Sequence, residues 1–269
     1  MPKKVIWGLI ACGAFLILIV TLGLTTQLHS DRTSHVITAQ KRPLILVGGS
    51  SSTPEDFDDM IKTLNSQHQH PIINVTVTKK QTIQFKETRV DGTHLSDALI
   101  VIYFEDSTDS NDNIITQTTG LDKALRYLQK RVGLKTANAL GYSNGGLIWS
   151  RYLAGLAGGS VADIQNLMLL GTPFLGTNEK HPDKTLYDPL LANKDKFKSL
   201  DTVVNIAADT SSGDDDVVPL SSVTAGGTLF MNTADRYTQM TVNQKDLTHG
   251  TLIHAAYVAR LVRQNLLNQ

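Results

Sequence analysis

The pattern of apolar and polar positions divides the chain after residue 41 into alternating strand-like and helix-like segments. Short continuous apolar runs are typical of strands buried on both faces of a parallel sheet, whereas strict alternation indicates a strand with one buried face. Continuous runs cover residues 43–47, 98–104, 136–140, 167–170 and 203–207, alternating runs cover 72–77 and 237–242, and a further strand or hairpin partner is predicted at 82–88.

Apolar residues at helical spacing lie between these strand-like runs. Thr53 before Pro54 predicts the start of the first helix, because threonine caps helices and proline favours the first helical position. The helical segments cover residues 57–64, 121–133, 145–157 and 252–267. This alternation of strands and helices predicts a doubly wound α/β fold with a mostly parallel sheet.

The N-terminus carries a separate signal for the membrane. A helix needs about 20 apolar residues to cross the hydrocarbon core, and the uncharged run from Val5 to Leu24 has that length. Lys3 and Lys4 precede the run and favour a cytoplasmic N-terminus, which puts the rest of the chain outside the cell. We therefore predict a single-pass anchor; the alternative is a cleaved signal peptide and a secreted protein.

Three segments follow from this organisation. Residues 1–28 are the membrane anchor or signal segment, residues 29–41 are a polar linker, and residues 42–269 suit one α/β domain. The hydrophobic content of 41% and charged content of 19% are sufficient for a packed core. The length and composition therefore predict one folded domain outside the membrane.

Charge and composition narrow the classes of partner and cofactor that the protein could bind. Lys+Arg and Asp+Glu are both 25, so the chain lacks the basic excess of a nucleic-acid-binding protein. The chain has one cysteine, which excludes an intramolecular disulfide and a cysteine-based zinc site. It also lacks the H-E-x-x-H, Walker A and G-x-G-x-x-G motifs. We therefore predict no metal, no cofactor and no nucleic-acid partner.

The segment Gly141-Tyr142-Ser143-Asn144-Gly145 matches the G-x-S-x-G pattern. In this motif the serine sits on a tight turn between a strand and a helix, and its hydroxyl is exposed above the sheet. The apolar run before Gly141 and the helical segment after Gly145 supply that context. Ser143 is therefore predicted to be a nucleophile; the alternative is a serine that only caps the helix.

A serine nucleophile needs a histidine base oriented by a carboxylate. In folds with this kind of serine turn the chain order is serine, acid, histidine. The downstream acids are Asp209 and the run 214–216, and His249 and His254 follow them. The order is satisfied, and these residue types alone leave several acids and two histidines as candidates.

The chain resembles the α/β-hydrolase superfamily and, more narrowly, a family of membrane-bound cell-surface hydrolases from Gram-positive bacteria. The similarity covers most of residues 42–269. That family has an H-G turn, a G-x-S-x-G elbow, a P-F-x-G segment, a D-G-x-V-P loop and a late H-S-x-L-H stretch. The corresponding segments here are Gly48-Gly49, the Ser143 elbow, Pro173-Phe174-Leu175-Gly176, Asp215-Asp216-Val217-Val218-Pro219 and His249-Gly250-Thr251-Leu252-Ile253-His254. Gly48 replaces the family's histidine and Asp216 replaces its glycine.

The resemblance implies a role for each of these residues. Asp215 takes the place of the family's aspartate, with Asp214, Asp216 and Asp209 as alternatives, and His249 takes the place of the first late histidine. His254 is then a structural or surface residue. The oxyanion hole would consist of the Asn144 amide, directly after the nucleophile, and the Ser50 amide, from the loop after the first strand.

These expectations together predict an enzyme. Ser143, His249 and Asp215 would cleave an acyl ester or related acyl bond through an acyl-enzyme, on a small-molecule or lipid ester at the outer face of the membrane. The alternatives are an acyltransferase with the same triad and a non-catalytic surface binding protein. Residues 172–200 are expected to form a cap or long insertion over the substrate, and Trp149 and Phe174 either line its pocket or pack in the core.

Overall fold

The computed structural model describes residues 41–88, 94–159, 161–244 and 246–267. The predicted anchor at residues 1–28, and the linker apart from Lys41, lie outside these described residues. Within the described ranges, no helix combines the length and apolar character that crossing a bilayer requires.

Eight strands form one sheet in the order β3-β2-β4-β1-β5-β6-β7-β8. All neighbouring pairs are parallel except β2 and β3. The strands are β1 Leu44–Val47, β2 Ile72–Val77, β3 Ile83–Thr88, β4 Leu99–Phe104, β5 Thr136–Tyr142, β6 Asp163–Leu170, β7 Thr202–Asp209 and β8 Arg236–Asn243. The mostly parallel, doubly wound sheet predicted from the pattern is confirmed.

Burial explains why the strands differ in composition. All four residues of β1 are buried, because β1 has neighbouring strands on both sides and helices on both faces. The edge strand β3 alternates between partly buried and exposed residues, as expected when one face is covered and the other is solvated. The apolar runs therefore identify the central strands and the alternating runs identify strands near the edges.

Seven α-helices lie between or after the strands among the described residues. They are α1 Asp58–Leu64, α2 Asn111–Val132, α3 Asn144–Leu153, α4 Tyr187–Ala192, α5 Leu220–Thr224, α6 Gly226–Phe230 and α7 Ala256–Val262. The longest, α2, has clear ends: the Ser110 side chain accepts a hydrogen bond from the Asn113 amide, and Gly133 ends the helix with a φ of 73°.

Two hydrophobic clusters cover the two faces of the sheet. One contains Trp149 from α3 and Leu125 from α2, and the other contains Met60 from α1 and Val258 from α7. Helices on both faces of a largely parallel sheet are the layer arrangement of a doubly wound domain.

Several helix boundaries differ from the predictions: α2 begins at Asn111 rather than near residue 121, and α3 ends at Leu153 rather than at 157. The first helix begins at Asp58 rather than directly after Thr53, because residues 54–57 form turns in which the amides of Asp56 and Asp58 donate to the carbonyls three residues back, of Thr53 and Glu55. The C-terminal segment is not one helix from Leu252, since Ala255 is extended and α7 starts at Ala256. A 3₁₀ turn at Leu252–His254 precedes that break.

The register of the central strands brings distant loops together. Val47 at the end of β1 lies opposite Gly141 of β5, and Tyr142 at the end of β5 lies opposite Leu170 at the end of β6. The loops that follow these strands therefore meet at the carboxyl edge of the sheet, where ligands bind in open α/β folds.

Candidate active site

Ser143 occupies the turn between β5 and α3 with a φ of 54° and a ψ of −129°. This region is sparsely populated for a residue with a side chain and costs on the order of 1–3 kcal/mol. Two hydrogen bonds hold the turn: the Ser143 amide donates to the Leu170 carbonyl at 2.8 Å, and the Gly146 amide donates to the Ser143 carbonyl at 2.9 Å. Sheet and helix together therefore maintain a strained serine.

The two glycines after this turn are required by close packing. A Cβ on Gly145 would collide with the backbone carbonyl of Val47, and a Cβ on Gly146 would collide with the Thr172 side chain. The helix can therefore approach the sheet closely enough to place Ser143 at its edge only because both positions lack a side chain.

His249 lies on the loop after β8 and contacts the serine directly. Its Nε2 is 2.9 Å from Ser143 Oγ. The His249 amide donates to the Asp215 carbonyl, and the His249 carbonyl accepts a 2.9 Å hydrogen bond from the Tyr142 hydroxyl. The backbone of the histidine is thus fixed on both sides, and its ring is aimed at Ser143.

Asp215 completes the chain of contacts and is fully buried. Its Oδ2 is 2.7 Å from His249 Nδ1, and its Oδ1 accepts hydrogen bonds from the amides of Val217 and Val218 at 3.2 and 2.7 Å. A carboxylate beside Nδ1 favours the tautomer that carries its proton there, which leaves Nε2 able to accept the serine proton.

The other candidate acids have different partners. Asp209 accepts the amides of Ser211 and Gly213, and Asp214 accepts the Asp216 amide. These bonds shape the loop that precedes α5. His254 is exposed and lies 3.0 Å from Asp59. The structure therefore brings Asp215 and His249 to Ser143, and the remaining candidates lie in contacts elsewhere.

Tyr142 supports the histidine, and the sequence analysis assigned it no role. Its ring lies 5.2 Å from the His249 ring, centre to centre. Burial raises the pKa of the Tyr142 phenol, and the nearby negative charge of Asp215 adds to the effect. The hydroxyl consequently remains a hydrogen-bond donor to the His249 carbonyl well into the alkaline range.

The sequence analysis also assigned no role to Gly171, which lies directly after β6. Its φ is +57°, and a Cβ there would lie 3.1 Å from both Cε1 and Nδ1 of His249 and 3.2 Å from Oδ2 of Asp215. The backbone thus passes close behind the histidine–carboxylate pair. A glycine after an apolar strand carries no sequence signal that would distinguish this role from an ordinary turn.

The loop after β1 lies against the serine. A Cβ on Gly49 would be 3.0 Å from Ser143 Oγ, and the Asn144 side-chain amide donates to Ser50 Oγ at 2.7 Å. The two residues whose amides were predicted to form the oxyanion hole are therefore neighbours beside Ser143. Their role as oxyanion donors stays a prediction.

A cleft of about 510 Å³ opens above Ser143 and His249. Pro173, Phe174 and Leu186 are among the residues of the segment 172–200 that line this cleft. Trp149 packs in the core instead, and its indole N–H donates to the Leu140 carbonyl. Among the described residues, no group of three or more His, Cys, Asp or Glu side chains is arranged to hold a metal ion.

The sheet order and the strained serine turn after its central strand β5 define the α/β-hydrolase fold. The chain belongs to the family described as "Alpha/beta hydrolase of unknown function (DUF915)", whose match spans residues 32–269. The resemblance predicted from the sequence motifs is thereby confirmed.

Two solved structures are similar over most of the chain. The "putative cell surface hydrolase from Lactobacillus plantarum WCFS1" is 27% identical, with a TM-score of 0.71 over 86% of this chain and 93% of that one. The product of gene lin2722 from Listeria innocua is 22% identical, with a TM-score of 0.73 over 84% and 93%. No curated protein matches the chain in sequence.

Proposed function

We propose that the protein is a serine hydrolase that cleaves an acyl ester through a covalent acyl-enzyme. The observation that carries the proposal is the unbroken series of contacts from Ser143 Oγ to His249 Nε2 at 2.9 Å and from His249 Nδ1 to Asp215 Oδ2 at 2.7 Å. The three residues come from distant parts of the chain, and a serine in contact with a histidine that a carboxylate orients has the chemistry of an activated nucleophile.

The first step is attack on the acyl carbonyl. Ser143 Oγ forms the new C–O bond while His249 Nε2 takes the hydroxyl proton. Asp215 stabilises the imidazolium that results and holds the ring in the required tautomer. The tetrahedral intermediate then collapses, the leaving alcohol takes the proton from Nε2, and the acyl group remains on Ser143.

The second step removes the acyl group with water. His249 Nε2 takes a proton from the water, whose oxygen attacks the acyl-enzyme, and the acid leaves as Ser143 regains its proton. In both steps the amides of Asn144 and Ser50 would donate to the developing oxyanion. Each donor contributes about 10²–10³-fold in rate in serine hydrolases.

The substrate is proposed to be a small-molecule or lipid ester with a compact acyl group. The cleft of about 510 Å³ lies within the size range of small-molecule sites. Its lining is mixed, with apolar Leu147 and Phe174 and polar Asn111 and Asn178. A mixed lining favours an ester in which an apolar acyl group is joined to a polar partner.

The proposed location is the outer face of the cell membrane. The uncharged run from Val5 to Leu24 supports an anchor, or a secreted form if that segment is cleaved. The similar Lactobacillus plantarum protein, a "putative cell surface hydrolase", supports the same compartment.

Hydrolysis of p-nitrophenyl esters of increasing acyl length by the full chain tests the proposal. The wild type should hydrolyse short esters, and Ser143→Ala should lose at least about 10³-fold in kcat/KM while it keeps the wild-type melting temperature. An acyltransferase would transfer the acyl group to an added alcohol in preference to water. A wild type as inactive as Ser143→Ala would instead indicate a binding protein.

A further inference from the structure

Three side chains form a closed ring of hydrogen bonds beside the nucleophile. The Asn144 side-chain amide donates to Ser50 Oγ at 2.7 Å and to Asp109 Oδ1 at 2.9 Å. The Ser50 hydroxyl donates to the same Asp109 oxygen at 3.1 Å. The Asn144 carboxamide, the Ser50 hydroxyl and the Asp109 carboxylate therefore each contact the other two.

The ring joins three separate parts of the fold. Ser50 belongs to the loop after β1, Asn144 is the first residue of α3, and Asp109 lies in the loop between β4 and α2. Asn144 is 7% exposed, so its side-chain amide needs partners inside the protein. The ring supplies those partners and sets the distance between the first two segments.

The loop that carries Asp109 is itself held in place by the start of α2. The Asn113 side chain donates to the carbonyls of Asp106 and Thr108 at 3.1 and 2.8 Å, and the Gln117 side chain donates to the Asp106 carbonyl at 2.7 Å. The Ser51 amide donates to the carbonyl of Ser107 in this loop. A long helix therefore anchors the carboxylate from which the ring is built.

We infer that Asp109 is a positioning residue for the oxyanion hole. The inference rests on the proposed function, in which the backbone amides of Ser50 and Asn144 bind the oxyanion. The side chains of the same two residues are hydrogen-bonded to one carboxylate oxygen, Oδ1 of Asp109. Asp109 therefore fixes the separation and direction of both backbone amides before substrate binds. Preorganised donors stabilise the transition state more than the bound ester, since only the former carries the negative charge.

Asp109→Ala tests this role because it removes the shared acceptor and leaves both amides in the chain. We expect kcat/KM to fall about 10–100-fold, less than the loss of a whole donor, and we expect most of the loss in kcat rather than KM. Affinity for a trifluoromethyl ketone, which forms a tetrahedral adduct, should fall by the same factor. Asp109→Asn retains an acceptor oxygen and should stay within about threefold of wild type.

Ser50→Ala provides a second route to the same ring, because it removes the hydroxyl and keeps the amide. If Ser50 and Asp109 act as a unit, the double variant with both alanines should lose no more activity than the worse single variant. Asp112→Ala is the matched control. Asp112 is an exposed aspartate in the first turn of α2, so its removal deletes a nearby charge without changing the ring.

The outcomes separate the two claims. Wild-type kcat and ketone affinity in Asp109→Ala, with an active wild type, would overturn the positioning role and leave the proposed hydrolase standing. An equal loss in Asp112→Ala would also overturn it, because the effect would then be general electrostatics. A wild type that neither hydrolyses esters nor binds the ketone would refute the hydrolase and this role together.

Discussion

Replacing Gly171 by alanine tests how tightly the backbone constrains the histidine–carboxylate pair. The φ of +57° at this position costs an alanine about 1–2 kcal/mol. In a domain of this size, each kcal/mol lowers the melting temperature by roughly 2–4 °C. We therefore expect a melting temperature about 2–8 °C below that of wild type from backbone strain alone.

The new methyl group also reaches the active site. It would lie 3.1 Å from His249 Cε1, whereas carbon atoms pack at about 3.5–4.0 Å. The His249 imidazole or the Asp215 carboxylate must therefore move by about 0.5 Å. Since a misplacement of about 1 Å can cost about 10²-fold in rate, a shift of half that size should lower kcat/KM roughly tenfold.

Gly133→Ala is the control for strain. Gly133 has a φ of +73° and no heavy atom within 4 Å of the position that a Cβ would take. This variant should lose similar stability and keep wild-type kcat/KM for p-nitrophenyl acetate. Equal ester activity in Gly171→Ala and Gly133→Ala would refute the argument that Gly171 maintains the geometry of the pair.

Two further variants test the contacts around His249. Asp215→Asn keeps the size of the side chain but favours the wrong histidine tautomer, so kcat should fall about 10³–10⁴-fold with the fold retained by circular dichroism. Tyr142→Phe tests the alkaline limit of stability. Because the folded state raises the pKa of Tyr142, its contribution is complete below about pH 10 and is lost as the pH rises towards the raised value. Between about pH 10 and 11, the free energy of unfolding measured in urea should fall less in Tyr142→Phe than in wild type. An equal fall with pH in the two proteins would contradict this.

The fold was largely predictable because its signals are local. The apolar run at 43–47 predicted a buried strand because β1 is central and covered on both faces, and such a strand needs apolar residues. Boundaries were less predictable where turn hydrogen bonds decided them. After Thr53 the amides of Asp56 and Asp58 donate to carbonyls three residues back, a turn geometry that the pattern of residue types does not reveal.

The candidate site was predictable only in part. Ser143 has a local motif, whereas the choice of Asp215 over its neighbours depended on resemblance to a family. Asp109 and Gly171 carry no signal in the sequence, because their importance arises from contacts with residues far along the chain. The separations of 35 residues between Asp109 and Asn144 and of 106 between Ser143 and His249 show how non-local these contacts are.

The most direct test of the central claim is to find which residue becomes covalently modified by an active-site probe. Full-length protein treated with a fluorophosphonate should gain one adduct, and peptide mass spectrometry should locate that adduct on Ser143. The adduct should be absent in Ser143→Ala and should form much more slowly in a His249→Ala variant. An unmodified wild type, or an adduct on another residue, would contradict the account.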